Sequence, residues 1–154
     1  MLEVTEGTRN DIASCLSIAK SLPVYFTSRA LEAIEHDLGG NPFYVARNES
    51  GQILGFASVK DNTEQAAELL WLAVAEGHRR RGTGTLLVNA VCATLKAKGL
   101  KVLLVRTLSE SVSYAPYEAS RQFFKMAGFV HIDTLDPCPG WDPGNPCDIY
   151  AKTL

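Results

Sequence analysis

The sequence predicts a single α/β (α+β) domain, residues 1–154, with a mixed, mostly antiparallel twisted sheet of about seven strands and about four helices. Three observations predict this class. Short runs rich in β-branched and aromatic residues alternate with segments whose apolar residues recur at helical spacing. Several of these runs are separated only by tight turns, which favours antiparallel neighbours. No repeat, low-complexity tract or linker divides the chain.

Length, composition and charge are those of an ordinary globular protein. The chain has 154 residues, of which 46% are hydrophobic and 21% charged, and it is long enough to bury a core. No apolar run approaches the length of a membrane span, and the first residues lack the pattern of a signal peptide, so we expect a cytoplasmic protein. A net charge of −2 argues against nucleic acid as the main partner.

Two helices are predicted near the N-terminus, after a short strand that begins at Leu2. Thr8 is the predicted N-cap of the first, with Asp11 at the third position of a capping box. Ser28 is the predicted cap of the second, which ends at the glycine pair 39–40. The apolar and aromatic segment 22–26 between them is either a loop that lines a substrate site or a packed connector.

Three strands joined by turns follow, and a long helix comes after them. The strands are predicted at 43–46, 53–59 and 68–74, and the helix ends at Gly99. Leu87, Ala90, Val91 and Leu95 form the apolar face of this helix. The remaining predicted elements are a strand at 101–106, a helix that carries Phe123 and Phe124 and stops at Gly128, and strands at 129–133 and 148–152 joined by the proline- and glycine-rich loop 137–146.

The four cysteines do not form a recognisable metal or redox motif. Cys15 and Cys92 fall within helical patterns, where a buried thiol is the ordinary interpretation. Cys138 and Cys147 share one loop region. Because cytosolic proteins rarely keep disulfides and no partner ligands are near, we expect neither a disulfide nor a zinc site there.

The segment from Glu68 to Thr85 carries the clearest chemical signal. A strand ends at Val74, a short polar turn follows, and Gly82 and Gly84 lead into the long helix. Such a junction directs several backbone N–H groups and the positive end of the helix dipole at one point, and glycines let the backbone approach a ligand closely. We therefore predict an anion site for phosphate, and the basic cluster 78–81 suits a polyphosphate.

Two common phosphate-binding loops do not match this segment. A P-loop needs a lysine that Gly82-Thr-Gly-Thr85 lacks, and a dinucleotide fingerprint needs a third glycine where Leu87 stands. The pattern Arg79-x-x-Gly82-x-Gly84 instead resembles the acetyl-CoA loop of the GCN5-related N-acetyltransferases (GNAT), which is Gln/Arg-x-x-Gly-x-Gly/Ala. Every defining position of that motif is matched.

A second motif and the order of the elements support this resemblance. Residues 120–129, Ser-Arg-Gln-Phe-Phe-Lys-Met-Ala-Gly-Phe, are similar to the family's helix that ends in aromatic-aromatic-x-x-x-Gly-Phe. The order of strands and helices matches over nearly the whole chain. The resemblance implies the GNAT fold, in which the strand before the loop and the strand after the long helix form a central parallel pair that splays apart.

The resemblance also implies acetyl-CoA as the cosubstrate, held in the opening between the splayed strands. Backbone groups of the splayed strand would pair with the pantetheine amides, the loop N–H groups would bind the diphosphate, and the arginines would add positive charge. The cofactor-binding residues that it implies are Leu72, Val74, Arg79, Arg80, Arg81, Gly82, Thr83, Gly84, Thr85 and Phe124.

In this family an amine attacks the thioester carbonyl directly, and Glu68 is the candidate general base. It lies fourteen residues before Gly82, the spacing of the catalytic glutamate in the family's histone acetyltransferase branch. Period-two counting places it on one strand face with Leu70 and Leu72. The alternative is a solvated carboxylate at a strand end, since many family members work without a carboxylate there.

The general acid is where the sequence departs from the family. The tyrosine that often protonates the leaving thiolate is replaced by Phe124, which has no proton to donate. Tyr117 is the predicted substitute, at the place where many relatives carry an asparagine that contacts the cofactor, and Tyr114 is the second choice. Alternatively the thiolate leaves with help from backbone N–H groups and water alone.

Two functions remain open at this point. One is an N-acetyltransferase that acts on a small-molecule or peptide amine; the other is a non-catalytic acyl-CoA-binding module that kept the loop and lost the acid. Segment 22–26, the second helix and loop 137–146 would form the acceptor pocket, with Trp141 expected to plug the end of the sheet. No pattern demands the homodimer that is common among relatives, and no metal is implied.

Overall fold

The computed structural model describes all 154 residues as one seven-stranded sheet with helices on both faces. No helix combines the length and apolar character that crossing a membrane requires. The elements are β1 (Glu3–Glu6), α1 (Ile12–Lys20), α2 (Ser28–Gly40), β2 (Phe43–Arg47), β3 (Ile53–Asp61), β4 (Ala66–Val74), α3 (Thr83–Ala97), β5 (Val102–Leu108), α4 (Ala115–Met126), β6 (Val130–Leu135) and β7 (Cys147–Thr153).

The sheet order confirms the predicted fold class. The strands lie side by side as β1-β2-β3-β4-β5-β7-β6. Only β4 and β5 pair in parallel; every other pair is antiparallel. The parallel pair is the one joined by α3, because a parallel connection needs a long crossover, whereas short turns join the antiparallel pairs β2–β3 and β3–β4.

The helices bury their apolar stripes on opposite faces of the sheet. Leu87, Val91 and Leu95 of α3 lie in one core cluster with Phe124 of α4. On the other face α1 and α2 pack around the fully buried Phe56. Burying a leucine, valine or phenylalanine side chain contributes about 1.5–3 kcal/mol to the stability of the fold. The apolar spacing that predicted α3 therefore also identifies the face by which α3 packs on the sheet.

The predicted caps of the first two helices are each displaced. Residues Arg9–Asp11 form a 3₁₀ turn that leads into α1, so Thr8 caps this turn rather than the α-helix itself. The backbone N–H of Thr8 donates to Asp11 Oδ2 at 2.9 Å, and the Asp11 N–H donates to the Thr8 carbonyl at 2.9 Å. The second cap is Thr27 rather than the predicted Ser28, because the Thr27 hydroxyl accepts from the Ala30 N–H at 3.2 Å. Serine and threonine are both good N-cap residues, so residue type does not distinguish them. Thr27 is the cap because it has the extended backbone conformation directly before the first helical residue.

A disulfide joins Cys138 to Cys147, which corrects the expectation that none would form. The expectation used redox compartment alone. The structure adds geometry: Cys147 is the first residue of β7 and both cysteines are buried, so the loop that leaves β6 folds back onto the sheet. The bond holds loop 137–146 beside the end of β5.

We expect the unfolded protein to show two reactive thiols, Cys15 and Cys92, without reductant and four with it. Closing a loop of about ten residues stabilises a fold by about 2–3 kcal/mol, so reduction should lower the free energy of unfolding by that amount. Thiol titration and denaturant unfolding measure the two effects. The double variant Cys138→Ser/Cys147→Ser is the control and should not respond to reductant; four thiols without reductant would contradict the bond.

Candidate functional site

β4 and β5 separate part-way along their length and leave an opening in the sheet. Their parallel ladder ends at Leu69 and Val105, although β4 continues to Val74 and β5 to Leu108. The separation starts at an irregularity in the β3–β4 register, where Leu70 has no partner on β3. A bulge bends its strand, which accounts for the opening. The predicted splay is therefore confirmed.

The same bulge changes which side chains of β4 share a face. Leu69 lies in the core under α3, and beyond the bulge Leu72 packs against that same core while Trp71 packs toward α1 and α2. Glu68, next to Leu69, therefore lies on the face of Trp71. The prediction that it shares a face with Leu72 is wrong, because the extra residue at Leu70 shifts the alternation by one.

The edge of β4 that borders the opening carries free backbone groups. The Ala75 N–H donates to the Leu54 carbonyl on β3 at 2.8 Å. Because alternate residues of a strand direct their backbone groups to alternate edges, Ala73 also bonds to β3, whereas Leu72 and Val74 direct theirs away from it. These are the backbone groups predicted to accept a ligand, and no strand pairs with them.

The loop between β4 and α3 forms a concave set of backbone N–H groups. Arg80 and Gly82 both have positive φ, 60° and 84°, and α3 begins directly afterwards. The N–H groups from Arg80 to Thr85 have no acceptor within the chain. A Cβ placed on Gly82 would meet no atom within 4 Å, so no other part of the chain packs against the loop at this residue. The arrangement fits an anion at the helix N-terminus.

The three arginines of the loop have different surroundings. Arg79 Nη2 donates to the Tyr25 hydroxyl at 3.1 Å, and its guanidinium lies 4.9 Å from the centre of the Tyr25 ring. Arg80 and Arg81 are exposed and form no ion pair. Arg79 therefore holds the loop between α1 and α2, whereas the other two are available to a ligand.

Gly55 of β3 lies where the backbone of β4 and the first residue of α3 both come close to it. A Cβ on Gly55 of β3 would lie 2.9 Å from the Ala73 carbonyl oxygen and 3.3 Å from Thr83 Cγ2. Only glycine permits this approach, since a backbone oxygen at that distance cannot move aside cheaply. Sequence reasoning missed Gly55, although a glycine inside a strand is a recognised sign of close backbone contact.

The aromatic pair of α4 is divided between the loop and the core. A Cβ on Gly84 would meet the ring of Phe123 at 3.3 Å, so Phe123 is the ring against the loop. Phe124 is only 6% exposed and stacks edge-on with Phe123 and Phe129 at centroid distances of 5.3 and 5.4 Å. Contact between Phe124 and a cofactor remains a prediction, and Phe123 is the better-placed residue that sequence reasoning missed.

Glu68 lies beside the opening with two polar partners. Its carboxylate accepts from Asn62 Nδ2 at 3.1 Å and lies 3.5 Å from Arg106 Nε. The Glu68 side chain is 13% exposed, so it is mostly buried but still accessible from solvent. A carboxylate held in this way can accept a proton from an amine that enters on the α1/α2 face.

A cluster of tyrosines connects the α1–α2 loop to the start of α4; we call Tyr25, Tyr114 and Tyr117 the tyrosine bridge. The Tyr25 hydroxyl donates to the Pro116 carbonyl at 3.1 Å, Tyr117 donates to the Tyr25 carbonyl at 3.0 Å, and Tyr114 donates to the Val24 carbonyl at 2.5 Å. Burial, with Tyr114 and Tyr25 nearby, raises the pKa of Tyr117 from its ordinary value, so its hydroxyl keeps the proton. Through Arg79, which donates to the Tyr25 hydroxyl, the bridge also contacts the loop between β4 and α3.

The segments predicted to form an acceptor pocket lie on one side of the sheet. Phe26 packs edge-on against Trp71 at 6.2 Å between centroids, and Leu22 is buried, so segment 22–26 is packed beside the site while Val24 is exposed. Arg29 of α2 forms an ion pair with Asp142 of loop 137–146. Trp141 is 36% exposed and stacks on no other ring, so it does not plug the sheet as expected.

Comparison with known proteins identifies the family. The model of the Acetyltransferase (GNAT) family matches residues 9–129 of the chain. The chain belongs to this family. A curated relative, an uncharacterized N-acetyltransferase from Chlorobaculum tepidum, is 33% identical over 91 residues, which cover 59% of this chain and 51% of the relative. The chain therefore spans about half the length of that relative.

Solved GNAT structures resemble the chain over almost its entire length. A GNAT-family protein from Desulfovibrio desulfuricans covers 99% of this chain and 99% of its own, with a TM-score of 0.84 at 20% identity. A GNAT acetyltransferase from Elizabethkingia anophelis with acetyl-CoA bound covers 99% and 98%, with a TM-score of 0.73 at 20% identity. At this identity the likeness establishes the fold.

Proposed function

We propose that this GNAT chain transfers an acetyl group from acetyl-CoA to a primary amine of a small molecule or peptide. The observation that carries the proposal is the unpaired edge of β4 leading into the unpaired N–H groups from Arg80 to Thr85. The first would bind amides and the second a diphosphate, which is the order of groups along coenzyme A. The acetyl-CoA in the Elizabethkingia anophelis relative, which has the same fold, supports this assignment.

The proposed reaction is direct attack of the amine on the thioester, with one residue that accepts the proton of the amine and one that donates a proton to the leaving thiolate. Acetyl-CoA supplies a thioester carbonyl carbon, which the nitrogen of the acceptor amine attacks. Glu68 accepts a proton from that nitrogen, directly or through one water. As the C–N bond forms, the C–S bond breaks and its electron pair leaves with the sulfur. Tyr117 is the candidate that donates a proton to the thiolate, and backbone N–H groups with water are the alternative.

The competing function is a module that binds acyl-CoA without turnover. It is favoured by Phe124, which leaves the family's usual acid position without a proton, and by the Tyr117 hydroxyl, which already donates to the Tyr25 carbonyl. The carboxylate beside the opening favours the enzyme, because binding alone has no use for it.

Measurement of thiol release from acetyl-CoA with a panel of amines, together with calorimetry of coenzyme A binding, decides between these functions. Turnover with at least one amine is the expected result. Binding without turnover on any amine would favour the module, and no affinity for coenzyme A would overturn both.

Tyr117→Phe is expected to lower kcat by about 100-fold with little change in coenzyme A affinity, because general acid assistance is typically worth that factor or more. Steady-state kinetics and calorimetry measure the two quantities. The loss of the hydrogen bond to Tyr25 should also lower the free energy of unfolding by about 1 kcal/mol. The matched control is Tyr25→Phe, which removes a neighbouring hydrogen bond of the same bridge, to the Pro116 carbonyl. Equal effects of both variants on kcat would mean that Tyr117 only holds the loop.

A further inference from the structure

Arg106 is the first residue of β5 beyond the paired part of β4 and β5. The preceding residue, Val105, lies in the core under α3, so Arg106 lies on the opposite face of the sheet, together with Glu68. This is the face where Trp71 and the loop after α1 border the opening. Nothing in the family motifs draws attention to this arginine.

The contacts of Arg106 leave most of its guanidinium unused. Nε lies 3.5 Å from Glu68 Oε2, and Nη1 lies 3.5 Å from the Pro139 carbonyl oxygen and 4.0 Å from Cys138 Sγ. The two Nη1 contacts are at the outer limit of hydrogen bonding, the ion pair is longer than a hydrogen-bonded one, and Nη2 has no partner. The side chain is 31% exposed.

Arg47 provides a comparison, because its side chain is as exposed as that of Arg106 but forms a close structural ion pair. The Arg47 side chain is also 31% exposed, but its Nη2 lies 2.7 Å from Asp11 Oδ1 in a short ion pair. The difference lies in the partners, because the carboxylate nearest to Arg106 is that of Glu68, and it lies 3.5 Å away. Its planar set of donors is the shape that a carboxylate fills with two parallel hydrogen bonds.

We infer that the acceptor is an amine with a carboxylate on a neighbouring carbon, as in an α-amino acid, and that Arg106 binds this carboxylate while Glu68 faces the amino group. The inference rests on the proposed function and names its substrate class. The two side chains lie 3.5 Å apart, which matches the short distance between the two charged groups of such a molecule. Arg106 would then pair with the carboxylate of the acceptor, and Glu68 would pair with its amino group, each more closely than they pair with one another.

The test compares amino acids with their primary carboxamides, which keep the side chain and the amino group and lose the carboxylate. For the wild-type protein, kcat/KM should be about 10- to 100-fold higher for the acid than for its amide, because a site built for a bonded group rejects the analogue that lacks it. In Arg106→Gln this ratio should fall to about one, with coenzyme A affinity unchanged. Arg106→Lys should give an intermediate ratio, since it keeps the charge but not the fork.

The control is Arg9→Gln, an exposed arginine without an ion pair before α1, which should leave the ratio unaltered. An equal loss of rate for acid and amide in Arg106→Gln would mean that Arg106 only positions Glu68, and it would overturn the inference. Turnover of amides at the wild-type rate of the acids would also overturn it while leaving the acetyltransferase intact. Absence of turnover with every amine, amides included, would overturn the proposed function as well.

Discussion

Glu68→Gln is expected to lower kcat by about 10²- to 10⁴-fold, the range that a positioned general base contributes. The amide keeps the shape of the side chain and its contact with Asn62 but cannot accept the proton of an ammonium group. Coenzyme A affinity should not change, because Glu68 lies on the paired part of β4, before the edge proposed to bind the cofactor. Thiol-release kinetics and calorimetry separate the two effects.

The pH dependence adds a readout that a purely structural role would not produce. At high pH a larger share of the acceptor amine is already deprotonated, so the deficit of Glu68→Gln should shrink as pH rises. Glu64→Gln, in the exposed turn that precedes β4, is the matched control and should behave as wild type. A variant that keeps full activity near neutral pH would remove Glu68 from the mechanism.

Gly82→Val is expected to raise the Kd for coenzyme A by about 100-fold, equivalent to about 3 kcal/mol or to one or two hydrogen bonds to a charged group. The φ of 84° strains any residue with a Cβ, so the loop would have to change its backbone conformation and displace the N–H groups proposed to bind the diphosphate. Calorimetry measures the affinity, and thermal unfolding checks that the fold persists.

Gly77→Val is the matched control for this experiment. Gly77 belongs to the same connection between β4 and α3, has no positive φ, and a Cβ on it would meet no atom within 4 Å. It should bind coenzyme A as wild type does. If Gly82→Val bound equally well, the proposed diphosphate site at the α3 N-terminus would have to be abandoned.

Most of the fold could be predicted because its signals are local. The helical spacing in α3, the capping box of Thr8 and Asp11, and the turns between β2, β3 and β4 each depend on residues close in sequence. The cap of α2, predicted at Ser28 but found at Thr27, is wrong by a single residue, and boundaries are where local patterns discriminate least.

The site was harder to predict wherever it depends on an irregularity or on contact between distant segments. Period-two counting put Glu68 on the wrong face because a bulge at Leu70 cannot be counted from the sequence. The pairs Glu68 with Arg106 and Tyr117 with Tyr25 join segments 38 and 92 positions apart, and no local pattern links them.

The sequence by itself determined the order of the elements, the family and the glycine-bearing loop before α3, because these follow from propensity, periodicity and short motifs. Only the tertiary structure decided which face Glu68 occupies, that Cys138 and Cys147 are joined, and that Arg106 is left with donors to spare. The physical reason is the same in each case. A side chain's partners are set by how strands bend and pack, and that information is shared among residues far apart along the chain.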